Sequence, residues 1–155
     1  MLLLKFAGLP FEENRHGYTR APKGKLPYID DDGTIVPDST FIRFHIERKY
    51  GFDFDAGLEP EQKAGAWAIE KMCDEHLYWS VVATRWCDDE NFAKGPAQFF
   101  KAAPALVRPV VQALVRRRVK KRLDSQGFGR HTPAEQDTLA IADVDALSVL
   151  GTSSI

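Results

Sequence analysis

The sequence contains little cysteine. Its two cysteines, Cys73 and Cys87, fall in one helical pattern, which separates them by roughly 21 Å along the helix axis. A disulfide requires Cα atoms about 6 Å apart, so we expect two free thiols. Sparse, unpaired cysteine indicates a reducing, cytoplasmic compartment.

The sequence also lacks an excess of one charge and a long hydrophobic run. Its 21 Lys and Arg residues nearly balance 22 Asp and Glu residues, which argues against a general nucleic-acid partner. No apolar stretch approaches the length of a membrane span. The apolar start, residues 1–6, is too short for a signal peptide and is followed by no cleavage site. With 44% apolar residues, the chain can bury a core, and we expect a soluble globular protein.

Common catalytic and metal-binding motifs are missing as well. The sequence has no GxSxG elbow, P-loop or Rossmann fingerprint, and its four histidines are scattered. Cys73 and His76 share a helix face, but structural zinc usually needs four ligands in paired spacings. We therefore predict no metal site and interpret the two residues as a buried thiol and a core histidine.

The most informative pattern lies between residues 24 and 51. Residues 26–29 and 34–36 flank an acidic, glycine-ended segment, residues 30–33, which predicts a hairpin. Pro27 cannot donate a ladder hydrogen bond, so it belongs at a strand start or on an edge. The peptide bond before Pro27 is a candidate cis bond, with a trans proline on an edge strand as the alternative. Ahead of the hairpin, residues 11–18 are a weaker strand candidate.

A helix follows the hairpin. Asp38, Ser39 and Thr40 are N-cap candidates, and Gly51 ends the helix after Tyr50. The helical spacing predicts an apolar face formed by Phe41, Ile42, Ile46 and Tyr50.

Turn-rich residues 52–60 separate this segment from a helical remainder, so we predict domains over residues 1–57 and 58–155. One long helix of about six or seven turns starts near Glu61. One face of this helix carries a stripe of mainly apolar and aromatic residues. The stripe is either part of the core or, together with Tyr78, the wall of a pocket for an apolar co-substrate. The stripe consists of Ile69, Met72, His76, Trp79, Ala83 and Trp86.

Two further helices complete the prediction. Pro104 and Pro109 interrupt the helical pattern, and the next helix runs from Pro109 to near Gly127. Residues 116–122, RRRVKKR, form its basic row. We favour a solvated helix face with a buried side over a polyanion site. Thr132 and Glu135 form a capping box for the last helix.

Several of these segments resemble glutathione S-transferases: GKLPYI, PDSTFIRFHIERKYG, EHLYW, RW and QGFGRH. The later ones look most like the branch that includes failed-axon-connections and metaxin-like proteins. The resemblance covers nearly the whole chain. It implies an incomplete thioredoxin-like α/β domain without its first strand, followed by an incomplete all-helical C-terminal domain.

The resemblance also implies a glutathione site. Pro27 would be the cis proline, the backbone of Leu26 would pair with the cysteinyl part, and Asp38 and Ser39 would receive the γ-glutamyl end. Lys25 is a weaker candidate for a carboxylate partner. A helix N-terminus supports Ser39 independently, because its free N–H groups and dipole stabilise a carboxylate. The alternative is that Asp38 and Ser39 only cap their own helix.

The resemblance further implies parts that the sequence lacks. Glutathione transferases activate the thiol with a Tyr, Ser or Cys after the first strand, and this chain begins inside what resembles the first helix. We therefore expect the catalytic residue to lie outside the sequence, and the C-terminal domain to be cut short after Leu147. On this interpretation the chain is a fragment, or a truncated gene product, with little or no transferase activity by itself.

Two functions from different classes stay open. In the first, the full-length protein binds glutathione as a co-substrate and transfers its thiol to a small electrophilic or hydrophobic substrate. In the second, it is a glutathione-transferase-like binding or interaction module without catalysis. Homodimers occur often in the family, so a homodimer is an expectation under either function.

Overall fold

The computed structural model describes residues 2–14 and 21–152. The chain divides into two compact units, Met1–Leu58 and Glu59–Ile155. The first contains a two-stranded antiparallel sheet and helices, and the second is helical in all its regular elements. This order confirms the predicted fold class, an α/β unit followed by an all-helical one.

The first unit has one helix before the hairpin in sequence and one helix after it. These two helices pack against each other. Its elements are α1 Leu2–Phe6, β1 Tyr28–Asp31, β2 Thr34–Pro37 and α2 Ser39–Tyr50. The strand predicted for residues 11–18 is wrong for residues 11–14, which have no regular structure. Residues 15–18, including His16, lie outside the described residues.

The predicted hairpin is confirmed. Its paired residues are Tyr28 with Pro37, Ile29 with Val36, Asp30 with Ile35, and Asp31 with Thr34. Asp32 and Gly33 therefore form a two-residue loop, and their φ angles of 54° and 84° are those that match the twist of the flanking strands. The Gly33 N–H donates to Asp30 Oδ1 at 2.8 Å. Because β1 begins at Tyr28, Pro27 precedes the ladder and no strand hydrogen bond is lost.

Both ends of α2 are confirmed as predicted. Asp38 is the N-cap, and Gly51 is a left-handed C-cap with φ 68°, a conformation that favours glycine. The Gly51 N–H donates to the Glu47 carbonyl at 3.0 Å, which satisfies one of the open carbonyls at the helix end.

The predicted buried face of α2 is only half right. Ile42 and Ile46 are buried, but Phe41 and Tyr50 are about half exposed. His45 is buried in their place, because it forms a polar contact that the hydrophobic period does not reveal.

The second unit consists of five α-helices and three short helical segments among the described residues. Its elements are α3 Pro60–Met72, a π-helical turn Cys73–Leu77, α4 Tyr78–Cys87, α5 Asp89–Lys94, a 3₁₀ segment Pro96–Phe100, α6 Arg108–Gln126, a 3₁₀ turn Phe128–Arg130 and α7 Pro133–Thr152. The long helix predicted from Glu61 is thus interrupted by one π-helical turn. Such turns insert a residue into an α-helix and shift the side chains that follow to another face.

The core of this unit lies where α4, α6 and the Phe128–Arg130 turn meet. Ala83, Leu123 and Phe128 are buried there, and Trp79 and Val119 pack against them. Trp79 is therefore part of the core, which agrees with the interpretation of the stripe as core.

The caps of the helical unit follow local chemistry. The Thr132 N–H donates to Glu135 Oε2 at 2.7 Å, and the Glu135 N–H donates to Thr132 Oγ1 at 3.4 Å. This confirms the predicted capping box. Hydrogen bonds from Thr132 lower the pKa of Glu135. Pro109 lies in the first turn of α6, where a missing N–H costs nothing.

Among residues 2–14 and 21–152, no helix combines the length and the apolar composition needed to cross a lipid bilayer.

Candidate functional site

The residues before β1 and the first residues of α2 lie side by side. Tyr28 pairs with Pro37 at the open end of the hairpin, so the chain on either side of this pair is also adjacent. The Asp38 N–H donates to the Pro27 carbonyl at 2.9 Å. The Leu26–Pro27 peptide bond is cis, which confirms the candidate named from the sequence. The structure therefore brings Pro27 and Asp38 together, with Leu26 and Ser39 as their chain neighbours.

Asp38 fixes the start of α2 with one carboxylate oxygen. Its Oδ1 accepts from the Thr40 N–H at 3.0 Å, and its carbonyl accepts from the Ile42 N–H at 2.9 Å. Its φ of 81° is uncommon for a residue other than glycine and costs on the order of 1–3 kcal/mol. Within the described residues, Oδ2 forms no hydrogen bond, so this exposed carboxylate keeps an oxygen for another donor.

Ser39 presents a hydroxyl at the same helix end. Its side chain is exposed and forms no hydrogen bond within the described part of the chain. The first N–H groups of a helix point outward and carry a partial positive charge. A carboxylate oxygen from Asp38, a hydroxyl from Ser39 and the helix terminus together offer both an acceptor for an amine and donors for an anion.

Leu26 and Lys25 complete the predicted set. The Leu26 side chain is 56% exposed, and its backbone forms no hydrogen bond among residues 2–14 and 21–152. Lys25 is exposed and makes no ion pair with Asp38 or with any other described residue. The structure thus places Leu26, Pro27, Asp38 and Ser39 in one exposed area and leaves Lys25 without a contact to that group. Lys23, which the sequence did not single out, lies over the Phe41 ring at 4.8 Å.

A polar cluster that sequence reasoning missed joins the hairpin to α2. Asp31 Oδ2 lies 2.6 Å from His45 Nε2 and 2.8 Å from Lys49 Nζ, and Asp31 Oδ1 accepts from the Tyr50 hydroxyl at 2.8 Å. Hydrogen bonds from Lys49 and His45 hold the pKa of Asp31 well below its usual range. The same bond to Asp31 raises the pKa of Lys49. This cluster fixes the hairpin against α2 and so the position of Pro27 relative to Asp38.

The helical unit contains a partly buried polar contact. His76 Nδ1, in the π-helical turn, lies 2.6 Å from Asp143 Oδ2 of α7. The His76 side chain is 43% exposed, so its interpretation as a core histidine is wrong; the buried partner is Asp143. Cys73 is a free, half-buried thiol rather than a fully buried one. No group of His, Cys, Asp and Glu side chains in the described residues could hold a metal ion.

The chain matches a known protein family. The family described as glutathione S-transferase N-terminal domain matches residues 1–91, which is more than half of the chain.

The curated proteins that are similar to the chain include the following two. One is isoprene-epoxide–glutathione S-transferase of Rhodococcus sp. (strain AD45), 36% identical over 154 residues that make up 94% of this chain and 64% of that protein. The other is failed axon connections of Drosophila melanogaster, 33% identical over 93 residues, which cover 59% of this chain and 22% of that protein. The chain thus spans less than two thirds of the length of either relative. No solved structure matches it.

Proposed function

The chain belongs to the glutathione S-transferase family, and from this premise we propose that it binds glutathione where the segment before β1 meets the N-terminus of α2. The binding residues are Leu26, Pro27, Asp38 and Ser39, with Lys25 as a peripheral contact. The proposal rests on one observation, the hydrogen bond from the Asp38 N–H to the Pro27 carbonyl. This bond holds the segment before β1 next to the start of α2.

The chemistry of glutathione suits these groups one by one. Its γ-glutamyl end carries an amine and a carboxylate on the same carbon. The Asp38 carboxylate binds the amine, and the Ser39 hydroxyl with the α2 N-terminus binds the carboxylate. The cysteinyl part has one amide N–H and one carbonyl, which pair with the Leu26 backbone groups that lack partners in the described residues. Lys25 lies close enough in sequence to meet the terminal carboxylate by charge.

For the full-length protein the proposed reaction is transfer of glutathione to an electrophile. The Rhodococcus relative is named for isoprene epoxide, so a small epoxide is the substrate class to test first. The thiolate sulfur attacks one epoxide carbon, the carbon–oxygen bond breaks, and the resulting alkoxide takes up a proton.

The second candidate is a binding module without catalysis, which the family membership leaves open as the alternative. It uses the same site and the same ligand contacts. The two candidates differ in turnover alone: retention of the full-length protein on immobilised glutathione with epoxide conjugation supports the enzyme, and retention without conjugation supports the module. A homodimer and a cytoplasmic location stay predictions.

Two substitutions test the binding site. Asp38→Asn keeps an N-cap oxygen for Thr40 but removes the charge, and Ser39→Ala removes the hydroxyl at a helical position that tolerates alanine. Loss of a charge-assisted hydrogen bond costs about 1.5–3 kcal/mol, so we expect Asp38→Asn to weaken glutathione binding by roughly tenfold to a hundredfold. Ser39→Ala removes a neutral donor, so it should weaken glutathione binding by a smaller factor.

Asp32→Asn is the matched control. It makes the same charge change at the hairpin turn, the end of the sheet opposite Asp38. Titration calorimetry of the full-length protein with glutathione measures all three variants. Equal affinities for Asp38→Asn and Asp32→Asn would contradict the proposed site, and absence of binding by the unmodified protein would contradict the proposed function.

A further inference from the structure

One stretch of the helical unit contains basic residues and no acidic ones. Residues 96–123 include neither Asp nor Glu, although the whole chain has one more acidic than basic residue. The basic residues in this stretch are Lys101, Arg108, Arg116, Arg117, Arg118, Lys120, Lys121 and Arg122. This concentration sets the stretch apart from the rest of the sequence.

Two of these basic residues have structural roles. Arg116 donates to the carbonyls of Trp86 and Cys87 at 3.0 and 3.1 Å and pairs with Asp89 at 2.7 Å. Arg108 donates to the carbonyls of Lys101 and Ala103.

The other six basic side chains are exposed and form no ion pair within the described residues. They are Lys101, Arg117, Arg118, Lys120, Lys121 and Arg122. The exposed basic residues of the row predicted over residues 116–122 therefore form the solvated helix face expected from the sequence, and Arg116 differs because it is half-buried and bonded to the end of α4.

Large apolar side chains lie exposed beside these unpaired charges. Leu106 is 94% exposed and Phe99 is 72% exposed. Single exposed apolar residues are common on protein surfaces, whereas a group of them often marks a binding site. Three further apolar residues of the same stretch are about half exposed or more: Val107, Val110 and Leu114. We refer to these five apolar and six basic residues as the α6 surface.

Hydrogen bonds fix the turn before α6, which carries Leu106. Arg108 ties the loop that carries Leu106 to the start of α6 through the carbonyl of Ala103 at 3.0 Å. Val107 and Arg108 both donate backbone N–H groups to Pro104, at 3.1 and 3.0 Å. Leu106 is therefore presented outward by an ordered turn.

Along α6 the apolar and basic side chains share one outward line. Val110, Leu114, Arg117 and Lys121 recur at steps of four and three residues, which places them on one helix face. The opposite face carries Val115, Val119 and Leu123, of which Leu123 is buried in the core. The outward line is apolar in its first half and basic in its second.

We propose that the α6 surface binds the surface of an anionic lipid bilayer, with Leu106, Phe99 and the start of α6 entering the headgroup region and the basic residues contacting lipid phosphates. Lys and Arg near an anionic leaflet are attracted to it, and exposed apolar side chains gain by leaving water. Nucleic acid would satisfy the charges but would leave Leu106 and Phe99 in water, so it explains half of the surface.

Vesicle flotation with the full 155-residue chain tests the proposal. We expect binding to phosphatidylcholine vesicles that contain about 30 mol% phosphatidylserine, weaker binding as salt is raised, and little binding to pure phosphatidylcholine. Arg117→Glu/Lys121→Glu should weaken binding by at least about thirtyfold. Leu106→Gln/Leu114→Gln, which leaves the charge unchanged, should weaken it by about tenfold.

Lys5→Glu/Arg48→Glu is the charge-matched control, since both residues lie in the other unit, and it should bind like the unmodified chain. Circular dichroism checks that each variant is folded, and all four substituted positions of the α6 surface are exposed. Three results would overturn the proposal: no binding to anionic vesicles at low salt, equal loss in the control, or binding to a DNA duplex that exceeds vesicle binding and ignores the leucine substitutions. Self-association that the leucine substitutions abolish, without vesicle binding, would assign the surface to a second copy of the chain instead.

Discussion

Asp31→Asn is the substitution whose effect the structure specifies best. The Asp31 side chain is 14% exposed, and it accepts hydrogen bonds from His45, Lys49 and Tyr50. Asparagine keeps the shape of the side chain and one acceptor oxygen but removes the charge. The substitution therefore isolates how much the carboxylate contributes to holding the hairpin against α2.

The magnitude follows from the buried partner. A hydrogen bond that involves a charged group contributes about 1.5–3 kcal/mol. His45 is buried, so water cannot replace the charged acceptor that it loses, and a bond to the remaining amide oxygen is weaker because it is not charge-assisted; Lys49 and Tyr50 are exposed enough to bond with solvent. We therefore expect Asp31→Asn to lower the free energy of opening of the first unit by about 2 kcal/mol at neutral pH.

The pKa shift gives this effect a pH window. Because the folded-state pKa of Asp31 is lowered, its stabilisation is complete above the unfolded-state pKa of about 4. It is lost as the pH falls through the lower folded-state value. The difference between the two proteins should thus be constant from neutral pH down to about pH 5 and should shrink below about pH 4.

Hydrogen exchange measured on peptides that span residues 28–50 is the suitable assay. All three tryptophans, Trp67, Trp79 and Trp86, belong to the second unit, so their fluorescence does not report this opening. A loss of about 2 kcal/mol appears as roughly thirtyfold faster exchange. Asp32→Asn, one residue along the chain and exposed, is the control. Equal protection in the two variants at neutral pH would refute the assigned role of Asp31.

Two further substitutions test the helical unit, both followed by thermal unfolding with tryptophan fluorescence. Arg116→Met should lower its stability by about 1–3 kcal/mol because three hydrogen bonds are lost; the exposed Arg117→Met should have almost no effect, and equal effects would contradict the structural role of Arg116. Gly129→Ala should destabilise it by about 1–3 kcal/mol, since an added Cβ would lie 2.7 Å from the backbone nitrogen of Asp124. Gly65→Ala, where a Cβ meets nothing within 4 Å, should be neutral or stabilising, and a destabilisation equal to that of Gly129→Ala would show that the close contact is not the cause.

The candidate site illustrates how far a local pattern reaches. The cis bond at Pro27, the cap at Asp38 and the turn at Gly33 were predicted because each depends on residues within a few positions of it in the chain. Family resemblance implied only that Pro27 and Asp38 belong to one glutathione site; the hydrogen bond between them was not predicted, because it depends on the register of two strands. Lys25 shows the limit of such reasoning, since its nearness in sequence does not bring it into contact with Asp38.

The sequence by itself determined the ends of α2, the hairpin turn and the capping box of α7, because backbone donors and acceptors there are satisfied by near neighbours in the chain. The tertiary structure alone decided which polar side chains of separate elements meet. Asp31 meets His45, Arg116 meets the end of α4, and His76 meets Asp143. Each pair joins separate elements, and burying a polar group costs free energy unless such a partner is present. The spacing of hydrophobic residues in the sequence does not identify that partner.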